Sequence, residues 1–166
     1  MLKNHRQPVS LSLISTDLPI SSVVETTGTL YQKDRDSAKR FIPPGYRFHL
    51  LLTEPALLSC DPAPQAATPR LVWLEISAYR VIMTMQGNGQ LSYRHFWEKG
   101  VYGLSRYWLS SESLQGNEHI RLRNFTRSLH LSGDPFPEYL RLEYELWSQK
   151  VQLGNYVLSV RIQHNK

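Results

Sequence analysis

From residue 120 to residue 162 apolar and polar residues alternate almost without a break. A two-residue period sends successive side chains to opposite faces of a pleated strand. In the stretch 139–147, Leu140, Leu142, Tyr144 and Leu146 fall on one face, while Arg141, Glu143 and Glu145 fall on the other. The pattern predicts an antiparallel strand with one face buried and one solvated.

The same pattern, punctuated by turn residues, extends through most of the chain. Residues 20–31 are rich in Val and Thr, with Gly28 expected at a bulge, and residues 46–52 follow a Pro43-Pro44-Gly45 turn. Residues 71–85 are apolar at both parities, which predicts one strand covered on both faces. Gly87-Asn88-Gly89 then supplies residues that accept positive φ, so 71–85 and 91–97 read as a hairpin. Segments 101–109, 119–131, 139–147 and 151–163 complete the set. About eight strands at roughly ten-residue intervals predict an all-β fold, mainly antiparallel, closed as a barrel or folded as a two-sheet sandwich, with little helix. A short exposed helix is expected over 33–40, where charges alternate in sign.

A length of 166 residues fits a single domain spanning 1–166. Residues 53–69 hold four of the ten prolines and no basic residue, and they read as a Pro-rich loop within that domain. No apolar run approaches the roughly 20 residues of a membrane span. The N-terminal stretch has no continuous apolar centre of the secretory kind, and Cys60 is the single cysteine, so a cytoplasmic protein without internal disulfides is expected. An eight-stranded barrel would resemble the lipocalin-like carriers in outline, but their Gly-x-Trp signature is absent, since Gly28 is followed by Thr29 and Leu30.

The net charge is +5, and most of it is concentrated. Residues 70–131 carry eight Lys or Arg against four Glu. Within them, 93–99 and its continuation through Tyr102, Arg106, Tyr107 and Trp108 interleave aromatic and basic residues. Aromatic faces stack on planar groups while Arg neutralises phosphate or carboxylate. Arg121, Arg123 and Arg127 share a parity further on, and three like charges on one face repel unless something anionic meets them. The competing account makes Trp97 and Trp108 core residues with basic neighbours facing out.

Other constellations are weaker. Glu143 and Glu145 share a strand face at a spacing that overlaps glycosidase acid pairs, although a charge ladder with Arg141 explains them equally. The six histidines show no metal-ligand spacing, Gly103-Leu104-Ser105 lacks the rest of a nucleophile elbow, and no glycine-rich run fits a phosphate cradle. No catalytic residue, metal or cofactor is therefore expected. Asn124-Phe125-Thr126 is formally a glycosylation acceptor and reads as chance.

The sequence-based expectation is a non-catalytic binding or assembly protein that contacts a protein partner or an anionic ligand through a basic-aromatic sheet face. Arg94, Trp97, Arg106, Tyr107, Trp108, Arg121, Arg123 and Arg127 form that face. The alternatives are an RNA or single-stranded nucleic-acid module using the same residues, and a hydrolase using the strand carboxylates. Oligomeric state depends on whether a sheet edge is left open.

Overall fold

The computed structural model describes residues 5–33, 47–54, 70–87, 91–109 and 118–164. Ten strands run β1 (His5–Ser15), β2 (Ser21–Lys33), β3 (Arg47–Glu54), β4 (Arg70–Ile76), β5 (Arg80–Gln86), β6 (Leu91–Glu98), β7 (Tyr102–Leu109), β8 (Glu118–Ser132), β9 (Tyr139–Ser148) and β10 (Val151–Ile162). Every consecutive pair is antiparallel, and β1 also pairs with β10, so the sheet closes into an all-β barrel. Closure leaves none of the ten strands with an unpaired edge. Among the described residues there is no helix, and no helix of the structure is long and apolar enough to cross a membrane.

Two differences take the expected eight strands to ten. The first is β1, whose inward residues Val9, Leu11 and Leu13 join the core and whose register runs Val9↔Ile162 to Ser15↔Tyr156. The second is a break in the segment expected to be one strand over 71–85. Ser77 ends β4, donating its backbone N–H to the Arg80 carbonyl at 2.9 Å while its hydroxyl accepts the Arg80 N–H at 3.1 Å. The break shifts the parity: Val72, Leu74 and Ile76 point inward before it, and Val81, Met83 and Met85 after it. A change of phase at a turn explains most of this apolar double parity, while the outward Ile82 of β5, 8% exposed, is covered as well.

The core lines the barrel. Leu50, Leu74, Ile76, Val81, Trp97 and Leu142 are fully buried, and each such side chain contributes about 1.5–3 kcal/mol by leaving water. Gly28 is not at a bulge: it keeps register with both Gln7 and Leu52. A Cβ there would lie 2.5 Å from Leu52 Cδ2 and 3.0 Å from Val9 Cγ2, so its role is to let these inward side chains meet across the barrel. Bulges occur instead between Thr126 and Ser128 and between Gln152 and Gly154. The Pro-rich stretch 53–69 begins at the end of β3, and its remainder lies outside the described residues, as do Cys60, the tip of the β5–β6 hairpin at 88–90 and nearly all of the expected helix over 33–40.

Candidate functional site

The three strands β6, β7 and β8 carry two different surfaces, one on each side of the barrel wall. On the outside, the register places Arg94 opposite Arg106 and Arg106 opposite Arg121. Adjacent strands lie about 4.8 Å apart, so three arginines stand in neighbouring positions across the ladder. Among the described residues no carboxylate pairs with any of the three. Repulsion of roughly 0.2–1 kcal/mol per pair is small beside the burial of the core, which is why the fold tolerates the row.

Beside this row lies an open groove of about 510 Å³, lined by Arg94, Phe96, Tyr102, Leu104, Arg106 and Arg123. Arg123 is held in place: its guanidinium sits 5.0 Å above the Tyr102 ring and donates to the Gln149 carbonyl at 3.0 Å. Tyr102 and Leu104 are exposed at 58% and 40%, so the groove offers apolar contact as well as charge.

The remaining residues expected on this face divide. Trp108 is outside, with its ring stacked on His119 at 5.3 Å. Arg127 is also outside but occupies the β8 bulge and pairs with Glu145, so its charge is already met. Trp97 and Tyr107 do not belong to the outer face. Trp97 is fully buried, and Tyr107 packs inside against Tyr93 and His95. The two-residue period decides this, since Arg94 and Trp97 have opposite parity, as do Arg106 and Tyr107.

On the inside, the same strands carry a polar cluster that the sequence reading passed over. His95 Nδ1 lies 2.7 Å from Ser105 Oγ, and Asn124 donates from Nδ2 to that same oxygen at 2.9 Å. The His95 ring stacks on Trp97 with centroids 4.7 Å apart and planes within 3°. Burial lowers the His95 pKa from 6.5 to about 4, because the protonated ring would lack water. His95, Ser105, Asn124 and Thr126 all occupy inward positions beside buried apolar residues, and polar residues at core parity were the available signal. Ser105 is fully buried, so its contact with His95 orders the wall rather than presenting a nucleophile to solvent. Asn124, the formal glycosylation acceptor, is fully buried as well.

Toward the β1–β2 turn the interior is lined by four tyrosines. Tyr93 and Tyr107 have centroids 6.1 Å apart, and Tyr144 stacks on Tyr156 at 5.4 Å. Burial pushes the Tyr107 phenol up to about 12 and that of Tyr144 well above its ordinary value. The Tyr156 phenol is also raised, by burial and by the Asp17 carboxylate.

Glu143 and Glu145 lie on the outer face, as their parity predicts. Glu143 is paired with Arg141, while Glu145 is paired with Arg127 and accepts a hydrogen bond from Trp147 Nε1 at 2.9 Å. Among the described residues no group of three or more His, Cys, Asp or Glu comes together as a metal site would require.

The fold therefore defines a closed, ten-stranded antiparallel β-barrel with Arg94, Arg106 and Arg121 in register on the outer side of β6–β8 and four tyrosines inside. Among solved structures it is similar to the YwiB protein from Bacillus subtilis, at 14% sequence identity and a TM-score of 0.53, over 96% of this chain and 91% of that one. At that identity the likeness concerns the fold. No protein-family model and no curated protein matches the chain.

Proposed function

We propose that the protein is a non-catalytic binding protein that holds an anionic partner against the outer wall of β6–β8. The observation that carries this reading is the alignment of Arg94, Arg106 and Arg121 in consecutive ladder positions, with no carboxylate among the described residues to balance them. Like charges set directly opposite one another are relieved when an anion lies across them. Phe96, Tyr102 and Leu104 add apolar area beside the charge, which suits an acidic protein segment that also carries apolar side chains. With a single cysteine the chain forms no internal disulfide, which fits a reducing compartment such as the cytosol.

A second reading places single-stranded nucleic acid in the same groove. It is favoured by the exposed Tyr102 ring under Arg123, an arrangement on which a base could stack beside a neutralised phosphate.

The test is capture of partners from native lysate by the tagged chain, with and without nuclease, at low and high salt, alongside the Arg106→Glu/Arg121→Glu double variant. Stoichiometric recovery of one defined protein that survives nuclease and is lost with the variant supports the first reading. Recovery that disappears with nuclease and falls steeply with salt moves the assignment to nucleic acid. Undiminished capture by the variant rejects the outer wall as the site.

A further inference from the structure

The ladder row that carries Arg94, Arg106 and Arg121 does not stop at β6. Thr84 on β5 is the register partner of Arg94, Trp73 on β4 is the partner of Thr84, and Leu51 on β3 is the partner of Trp73. One outward row across β3–β8 therefore runs from two apolar residues, through a hydroxyl, to three arginines, with no acid in it. At about 4.8 Å per strand the row is about 24 Å long.

The apolar end of the row is exposed and held in place. Trp73 is 50% exposed and Leu51 36%. Trp73 donates from Nε1 to His49 Nδ1 at 3.1 Å, with the two rings 5.6 Å apart, so the indole is oriented before any partner arrives. Leu71, on the same face of β4, is exposed as well. Exposed apolar residues scattered singly are ordinary on a protein surface, but these are neighbours, and they stand in line with the arginines. An aromatic side chain already fixed loses little freedom on binding, and Trp and Arg are the residues that dominate interface energetics.

Charge gives the row a direction. Glu75 lies two residues from Trp73 on the same face of β4, whereas Arg106 has an arginine on each side. An acidic group is repelled near Trp73 and attracted at Arg106. A segment lying along the row is therefore steered to place its acids over β6–β8 and its apolar side chains over β3–β4.

We propose that the partner of this wall is a short protein segment, acidic at one end and apolar at the other, that lies across the strands from Arg121 to Trp73. The inference rests on the reading of β6–β8 as an anion-binding wall, and it adds Trp73 and Leu51 as the second half of the contact. An extended chain covers the row with about seven residues at roughly 3.3 Å each. Its carboxylates meet Arg94, Arg106 and Arg121, and its apolar side chains pack on the Trp73 indole and Leu51.

Two peptides of about nine residues are suitable probes. One carries glutamates in its first half and leucine and phenylalanine in its second, and the control has serine in place of the apolar residues. Each is titrated into isotopically labelled full-length protein, and a nitroxide label at either end of the first peptide reports its direction. The first peptide is expected to bind about tenfold tighter than the control. Its apolar-end label should broaden the Trp73 indole signal and the amides of Leu51 and Trp73, and its acidic-end label the amides of Arg106 and Arg121. Trp73→Ala, at an exposed position, should bring the first peptide to the affinity of the control and leave the control unchanged. The label pattern is measured on the parent protein and decides the matter even where the variant folds poorly. Equal affinity of the two peptides, a reversed or absent direction, or parent-like binding by folded Trp73→Ala overturns this inference and leaves the anion-binding wall standing. Failure of both peptides to bind overturns the two together. A thymidine oligonucleotide that binds tighter than the first peptide and leaves the Trp73 signals undisturbed also overturns it.

Discussion

The Nδ1 atom of His95 lies 2.7 Å from the Ser105 hydroxyl, with both side chains sealed inside the barrel wall between β6 and β7. Burial there holds the ring neutral, with its pKa lowered from 6.5 to about 4. Above pH 6.5 the folded and unfolded chains both carry it neutral, and below that only the unfolded chain takes up the proton. Stability should therefore fall as pH drops from 6.5 toward 4, by about 3 kcal/mol at the lower limit. Urea denaturation at a series of pH values checks this, and His95→Gln should flatten that window. The Asp17 carboxyl, held below 3.8 by the Asn155 backbone N–H, loses its contribution only at lower pH.

Gly103 occupies an inward position of β7 where the backbone of β6 comes unusually close. A Cβ at that position would lie 2.0 Å from the Phe96 carbonyl oxygen and 2.9 Å from Asn124 Oδ1. Because the first obstacle is backbone, it cannot rotate away as a side chain would. Gly103→Ala is expected to destabilise the barrel by about 1–3 kcal/mol and to disturb the His95–Ser105–Asn124 cluster. A lowered urea midpoint with an unchanged m-value would bear this out, and an unchanged midpoint would refute it.

Glu145 is 8% exposed, and its carboxylate is satisfied by Arg127 on one oxygen and by Trp147 Nε1 on the other. The Arg127 side chain is 60% exposed, so solvent screens much of the attraction. Arg127→Ala should still cost about 1–2 kcal/mol, since it leaves a nearly buried carboxylate with a single donor. Glu145→Gln in the same chain should recover part of that loss, because the charge to be paired is gone. A double-mutant cycle measured by thermal unfolding gives the coupling directly.

Arg106 has an arginine opposite it on each side, Arg94 on β6 and Arg121 on β8. Replacing the central one by Glu converts two repulsive pairs into two attractive ones. Arg106→Glu is therefore expected to raise stability by about 0.5–1 kcal/mol while abolishing capture of an anionic partner. Opposite signs in the two measurements distinguish a recognition surface from a structural one. A variant that is less stable and still captures its partner would contradict this account of the row.

Much of the all-β fold was legible in the sequence because strand formation with one buried face is a local, period-two property. The alternation in 139–147 correctly placed Leu140, Leu142, Tyr144 and Leu146 inside and left Arg141 and Glu143 half-exposed on the other face, whereas Glu145 on that face is buried beneath Arg127 and Trp147. Parity also held enough information to separate Trp97 from Arg94 and Tyr107 from Arg106. Grouping those residues by composition alone put two interior aromatics on an exterior face. β1 was not among the expected strands, because its stretch was weighed only for a continuous apolar centre, although Ser10 and Ser12 alternate with Val9, Leu11 and Leu13.

The sequence by itself determined the all-β class and the side of its strand on which each charged residue of 139–147 would lie. Each of these depends on residues that are neighbours along the chain. Tertiary structure decided the closure of the barrel through β1 and β10, the alignment of Arg94 with Arg106 and Arg121, and the meeting of His95, Ser105 and Asn124. Register between strands is set by how inward side chains from distant segments pack across the core, as Gly28 does against Leu52 and Val9. A shift of one residue would exchange inside for outside along a whole strand, so the packing of the closed barrel fixes which arginines stand side by side.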